Sequence, residues 1–297
     1  MNMKALNAKL RKAFIIINRN GVILSMINYP ARRKRINLNW TPIWKSVGEN
    51  VYYKIDTDKQ NFGDYLALPI YDYMTDRFGL DKNKKVKKTR HLYTIGSIIL
   101  LGYQDATVWG SGLLRTDPEG SVWKRSSYRK LDIRCVRGPE TKRRLMENGY
   151  DVSRCLFGDP GVLMPLIYTP QEYDEKKEYS VILHMNRKNK GIDNQIDVLT
   201  NDWKKTIDQI YNSKLIISSS LHGCIIAEAY GIPAILLDCV EKDDRFKYDD
   251  YYHSTGRYDY PVCTTVEEGL KMPIPEVPDL SELQDNLIKS FPKDLWD

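Results

Sequence analysis

The run from Lys214 to Leu237 constrains the fold more than any other part of the chain. An apolar strand, Lys214 to Ser218, meets a serine-rich turn, Ser219 to Gly223. A helix follows over Cys224 to Tyr230, Gly231 ends it, and Pro233 leads into a second apolar strand, Ala234 to Asp238. Two apolar strands joined by one short helix describe a βαβ unit, and such units build parallel sheets. Open parallel sheets bind ligands at the carboxyl ends of their strands. The turn holding His222 is therefore the first place to look for chemistry.

The same rhythm runs along the rest of the chain. Strands are expected at Val51–Ile55, Tyr93–Ile95, Thr107–Trp109, Leu131–Val136 and Tyr179–Met185. Helices are expected over Tyr65–Arg77, where Leu66, Ile70, Tyr73 and Met74 recur at three- to four-residue spacing, over Glu140–Asn148 and over Asp202–Asn212. Gly96-Ser97, Gly110-Ser111-Gly112, Arg137-Gly138 and Gly158-Asp159 each follow a strand. A polar stretch, Thr169 to Glu178, reads as a linker. The 297 residues suffice for two domains of roughly 100–200 residues each. The expected architecture is α/β, with two Rossmann-like domains facing a cleft. The divisions are a basic lead-in at 1–37, an N-terminal domain at 38–170 and a C-terminal domain at 171–297.

Charge and cysteine usage narrow the setting. The net charge of +6 is unevenly placed: the first 45 residues hold ten lysines and arginines and no acid. That stretch reads either as a solvated arm or as a contact with anionic lipid or a phosphorylated substrate. The five cysteines form no C-x-x-C pair and several lie in apolar segments, which fits buried thiols in a reducing cytoplasm. No apolar run approaches the ~20 residues of a membrane span. The basic arm lacks the helix-turn-helix or aromatic-basic pattern of a nucleic-acid reader.

His222 stands at a predicted helix start, where free N–H groups and the helix dipole attract phosphate or carboxylate. A histidine there donates a proton near neutral pH, or else simply caps the turn. Gly223, without a side chain, lets a ligand approach. Asn61, Gly63 and Asp64 form a strand-to-helix turn, which either faces a cleft or holds Asp64 as a helix cap. Asp159 has the same two readings, as a site carboxylate or as an Asp-Pro turn. His184, inside an apolar strand, reads as a core histidine. Tyr251, Tyr252, Tyr258 and Tyr260 read as a rim that stacks on sugars or as an amphipathic surface with its hydroxyls in water.

Five short motifs then occur in order. These are Asn61-Phe-Gly-Asp64, Gly110-Ser-Gly112, Val136-Arg-Gly-Pro139 with Thr141, Gly158-Asp-Pro160, and Ser219-Ser-Leu-His-Gly223 followed by Ala227-Glu-Ala-Tyr-Gly-Ile-Pro233. Together they resemble the polysaccharide pyruvyl transferase family, over about residues 61 to 256, and the chain is similar to the short bacterial exopolysaccharide type. The resemblance implies a GT-B-like fold, with the first domain on the acceptor side and the second on the donor side. It implies phosphoenolpyruvate as co-substrate, a glycan or lipid-linked glycan as acceptor, and donor contact by Arg137 and His222. The family often has an arginine two residues before this histidine, where the present chain has Ser220. Arg187, Arg245 and Lys247 are the candidates to replace it, with Lys247 preferred as the functional lysine and Lys242 in reserve.

The implied chemistry assigns roles. His222 is the expected general acid, and Asp64 or Asp159 the base for the sugar hydroxyl. Ser220, Leu221, Gly223, Lys247 and Arg187 join Arg137 around the donor, and Asn61, Gly63, Gly110 and Ser111 line the acceptor side or the cleft. No metal and no cofactor is expected. The expected location is cytoplasmic, at most touching the inner face of the membrane. Two other functions suit the same fold: a glycosyltransferase using a nucleotide sugar, and a non-catalytic factor in polysaccharide assembly.

Overall fold

A computed structural model describes residues 36–39, 44–47, 52–55, 59–88, 90–99, 105–114, 129–185, 191–238 and 245–297. Arg187, Lys242 and nearly all of the basic lead-in lie outside the described residues. In chain order the strands of the first half are β1 (Ile36–Asn39), β2 (Trp44–Val47), β3 (Tyr52–Ile55), β4 (Gln60–Asn61), β5 (Arg90–Tyr93), β6 (Ala106–Ser111), β7 (Leu131–Val136) and β8 (Leu156–Phe157). Those of the second half are β9 (Ser180–Ile182), β10 (Gln195–Ile196), β11 (Leu199–Thr200), β12 (Ile216–Ser218), β13 (Ala234–Leu237) and β14 (Val262–Cys263). The helices are α1 (Phe62–Tyr65), α2 (Ala67–Arg77), α3 (Pro139–Glu147), α4 (Trp203–Tyr211), α5 (Leu221–Ala229), α6 (Phe246–Ser254), α7 (Val266–Gly269) and α8 (Ser281–Ser290).

Two parallel sheets carry the chain, one from each half. The first runs β1-β5-β6-β7-β8 and the second β10-β9-β12-β13-β14. The expected βαβ unit is present: β12 and β13 pair in parallel, Ile216 opposite Ala234, with α5 as their crossover. These strands are buried on both faces, which is why they read as unbroken apolar runs rather than alternating ones.

The halves are joined, not merely apposed. Strand β4 pairs antiparallel with β11, placing Asn61 opposite Leu199, and the Phe62 N–H donates to the Val198 carbonyl at 2.7 Å. One apolar cluster runs through both halves, from Phe62, Leu66 and Ile70 to Cys224, Ile225 and Ile226. The boundary at 171 is not followed by the end of the chain. Helix α8 returns to the first sheet, where the Leu287 carbonyl accepts from the Trp109 indole at 2.9 Å and Phe291 meets the Trp109 ring edge-on at 5.0 Å. The apolar face made by Leu283, Leu287 and Phe291 covers a surface of the first sheet that its own half leaves bare.

Several boundaries differ from the sequence reading, each for a local reason. The helix expected from Tyr65 begins at Phe62 and breaks at Leu66. Its cap is Asn61, whose Oδ1 accepts from the Gly63 N–H at 3.1 Å, so Asp64 is released from capping. Strand β6 continues through Gly110, which tolerates a φ of +85°. Pro160–Leu166 is a 3-10 helix rather than a simple turn. The polar stretch 169–178 is pinned, not loose: the Asp208 carboxylate accepts from the Gln171 N–H and Asn212 accepts from the Tyr173 N–H. His184 lies past the end of β9 and is half-buried, so it is not a core histidine. Tyr251 and Tyr252 are fully buried and form no rim, whereas Tyr258 is exposed. Among the described residues the four cysteines are buried, and no disulfide joins any two of them. No helix of the described residues is long and apolar enough to cross a membrane.

Candidate active site

The site is built where α1 of the first half meets α5 and α6 of the second. Helix α5 starts earlier than its sequence suggests: Leu221, His222 and Gly223 are its first turn, with Ser220 at the N-cap. Ser218 sets this geometry, its hydroxyl accepting from the Ser220 N–H at 3.0 Å and donating to the Ser220 carbonyl at 2.9 Å. The Ser220 side chain makes no cap of its own. The first turn of α5 thus keeps N–H groups without a side-chain partner, at the positive end of a buried helix.

His222 projects from this turn between residues of both halves. Its Nε2 lies 3.7 Å from Asp159 Oδ2, longer than a hydrogen bond and within ion-pair reach. Both atoms are buried and neither has a hydrogen-bond partner. Asp159 uses its other oxygen to accept from the Gly161 N–H at 2.9 Å, so it is a turn-former and a site carboxylate at once. The opposite side of the imidazole faces Gly63. A Cβ at that position would fall 2.0 Å from Nδ1. Glycine at 63 is therefore what leaves room for the imidazole.

Asp64 follows directly. Burial pushes its carboxyl from 3.8 up to about 6, against the pull of His222 and Lys247 and with a smaller push from Asp159. A carboxyl titrating there is mostly ionised at neutral pH and still basic enough to take a proton. Gly96, at a φ of +98°, makes room for it: a Cβ there would lie 2.8 Å from Asp64 Oδ1. Lys247 stands near the start of α6, its Nζ 4.8 Å from the Tyr248 ring centre. Asn61 donates to the sulfur of Met185 at 2.8 Å, another tie between the halves at this point.

Arg137 occupies a different place from the one expected of a donor ligand. Its side chain has no exposed surface. Nε donates to Asp250 at 2.9 Å, Nη1 to Ser97 at 2.9 Å and Nη2 to the Leu113 carbonyl at 2.6 Å. Gly112 is packed against the guanidinium, leaving 2.4 Å between Cζ and a would-be Cβ. Each of its three nitrogens donates to the protein itself. Gly110 and Ser111 likewise serve packing instead of lining a cleft. Pro160 would meet a Gly110 Cβ at 2.3 Å, and the buried Ser111 hydroxyl donates to the Gly96 carbonyl at 2.8 Å. Gly223 lies against Ser218 and Ile182, so its missing side chain serves the sheet and not a ligand. Leu221 is buried in the core. Arg245 pairs with Asp238 through Nε at 2.8 Å, near the half-exposed end of α6. Among the described residues no group of three or more His, Cys, Asp or Glu is placed to hold a metal ion.

The sequence reading missed Asp250 and Ser97, which hold Arg137, and the buried Glu228–Arg257 pair, closed at 2.7 and 2.8 Å and joined by the Tyr251 hydroxyl at 2.6 Å. Only the acidic pair Asp249-Asp250 inside an aromatic helix hinted at the first.

The chain is 25% identical over 236 residues to the succinoglycan biosynthesis protein ExoV of Rhizobium meliloti (strain 1021), covering 74% of this chain and 70% of that one. It is 29% identical over 201 residues to an uncharacterised protein of Acanthamoeba polyphaga mimivirus, covering 61% and 67% respectively. A solved structure of an uncharacterised protein from Klebsiella pneumoniae subsp. pneumoniae NTUH-K2044 aligns with a TM-score of 0.48 at 12% identity, over 89% of this chain and all of that one. The wall teichoic acid polymerase TagF aligns at 0.41 and 15% identity, over all of this chain and 92% of that one, and at these scores neither bears on the fold. Residues 3–239 match the polysaccharide pyruvyl transferase family, and the chain belongs to it.

Proposed function

We propose that this pyruvyltransferase takes pyruvate from phosphoenolpyruvate and closes it as a cyclic ketal on two hydroxyls of a glycan sugar. The observation that carries the reading is the meeting of Asp64, Asp159, His222 and Lys247 at one point between the halves. The set comprises a base, an imidazole backed by a carboxylate and a cation, beside an uncapped helix start.

The reaction needs a proton delivered to C3 of the enol ester, which makes C2 electrophilic. A sugar hydroxyl then bonds to C2 and loses its proton. The C2–oxygen bond to phosphate breaks, and a second hydroxyl of the same sugar adds and loses its proton. Asp159 is suited to hold a proton on Nε2 of His222, leaving Nδ1 as the nitrogen that exchanges one with the donor. Asp64 is suited to take the proton of the attacking hydroxyl. Lys247 and the N–H groups of the first turn of α5 match the carboxylate and phosphate of the donor. Lys247 takes the place of the cation that Ser220 does not supply. In this reading the first half faces the acceptor and the second the donor, in the GT-B manner. The acid-free first 45 residues suit an anionic lipid surface, so the reading places the protein in the cytoplasm against the inner leaflet, with a lipid-linked acceptor. Flotation with anionic but not neutral vesicles checks that placement.

The test is incubation with phosphoenolpyruvate and lipid-linked or model glycosides, following phosphate release and a new ketal methyl resonance. Both signals should appear with the wild type and be lost in His222→Ala. Turnover of a nucleotide sugar in place of phosphoenolpyruvate would overturn the donor assignment. Ketal formation unaffected by His222→Ala would overturn the assigned site.

A further inference from the structure

Helix α3 begins at Gly138, a residue with no side chain to cap it. The missing cap comes from the other half of the chain. Asp250, on α6, accepts from the Thr141 N–H through Oδ1 at 2.8 Å and from the Thr141 hydroxyl through Oδ2 at 2.6 Å. The same carboxylate accepts from Arg137 Nε at 2.9 Å. It has no exposed surface. Gly138 allows the approach, since a Cβ there would lie 1.7 Å from the Asp250 carbonyl oxygen.

Helix α6 is held on its other side by the second half. The Tyr248 hydroxyl donates to the Ser219 carbonyl at 2.8 Å, just ahead of the His222 turn, and the Tyr251 hydroxyl donates to Glu228 at 2.6 Å. The helix is thus a strut between a strand end of each sheet. Lys247 sits on it, one residue before Tyr248 and three before Asp250, near enough to Asp64 to act on its charge.

We propose that Asp250 is a positioning residue, which caps α3 and pairs with Arg137 so that α6 holds Lys247 toward the Asp64–His222 site. A polar anchor suits this purpose because its hydrogen bonds fix direction as well as distance, which apolar contact does not. The inference rests on the reading that Lys247 serves the donor.

Thr141→Val tests it with little change in volume. It removes one donor to Asp250 and the acceptor of the Leu113 N–H, and leaves the ion pair in place. The expected result is a KM for phosphoenolpyruvate raised roughly ten-fold, the factor for one hydrogen bond to a charged group, with a smaller change in kcat and cooperative unfolding retained. The acid limb of the kcat/KM profile should also move to higher pH, since Asp64 would lose part of its pull from Lys247 while His222 and Asp159 stay in place. Thr141→Ser, which restores the hydroxyl, should return both quantities. Lys247→Met should raise the same KM, and adding Thr141→Val to it should raise it no further. Additive effects, or an unshifted KM and pH profile in Thr141→Val, would overturn the positioning role. An unchanged KM in Lys247→Met would instead overturn the donor reading on which it rests.

Discussion

His222 Nε2 and Asp159 Oδ2 face each other at 3.7 Å, both buried and both without another polar partner. A buried polar atom left unpartnered costs about 1–3 kcal/mol, so two of them side by side mark a place built for proton chemistry and not for stability. Asp159→Asn keeps the oxygen that caps the 3-10 helix and removes the charge behind the imidazole. We expect kcat to fall by about 10²–10⁴, the range for one general acid–base contribution, with thermal unfolding little changed. Steady-state phosphate release and calorimetry measure both; an unchanged kcat would remove Asp159 from the mechanism.

Gly63→Ala places a methyl group on Nδ1 of His222. The ring must turn or α1 must shift, because the Cβ would otherwise be 2.0 Å from the nitrogen. Overpacking of this kind costs about 1–3 kcal/mol, and a displacement of about 1 Å at the reacting group costs up to about 100-fold in rate. Kinetics and denaturant unfolding on the same preparation test it. Full activity would show that the Nδ1 face of His222 is not used.

Asp64 makes stability and activity respond oppositely to pH. Its carboxyl titrates at about 6 in the folded chain against an ordinary 3.8. The folded state binds this proton more tightly, so its stabilising contribution is complete below about pH 4 and is lost as pH rises through about 6. Above that, holding the bare carboxylate in its buried place costs on the order of 3 kcal/mol. Asp64→Asn is expected to unfold a few degrees higher than the wild type at pH 7 and no higher at pH 4. Wild-type kcat/KM should decline below about pH 6, and Asp64→Asn should abolish that limb together with most of the rate. A limb that survives the substitution assigns the titration to another group.

The Arg137–Asp250 pair should behave as a buried ion pair does. Arg137→Met leaves an uncompensated carboxylate in the interior, for a loss of about 3–5 kcal/mol. The double substitution Arg137→Met/Asp250→Leu should recover only part of that loss: the charge and its partner leave together, but the Thr141 N–H and hydroxyl lose their acceptor. Chemical denaturation of the two single variants and the double variant closes the cycle. Simple additivity would mean that the two side chains are not coupled.

Removing residues 280–297 strips Leu283, Leu287, Phe291, Leu295 and Trp296 from the core and uncovers Trp109. At roughly 1.5–3 kcal/mol for each large side chain, the loss matches the whole stability of an ordinary domain, about 5–15 kcal/mol. The shortened chain is expected to lack a cooperative melt by circular dichroism. A native-like melt would mean that the first sheet does not depend on α8.

The order of strands and helices was readable because it depends on local periodicity and on punctuation by glycine and proline. Lys214–Leu237 spells its βαβ unit in consecutive residues, and no distant contact was needed to recognise it. Asp64, Asp159, His222 and Lys247 stood out as residue types, the first three just past strand ends and Lys247 further on, near the start of α6. What tertiary structure alone decided was which strand-end residues meet and which are buried. Arg137 has the same motif context as a ligand-binding arginine, yet Asp250, far along the chain, neutralises it in the interior. Asp64 read either as a cap or as a cleft residue, and the turn uses Asn61 as the cap instead, which frees Asp64 for the site. Gly63 and Gly110 look alike in sequence, but one makes room for an imidazole and the other for a proline. Apart from the Asn61 cap, these distinctions come from long-range packing, where charge pairing and the space for a single Cβ are set by residues 50 to 159 positions away.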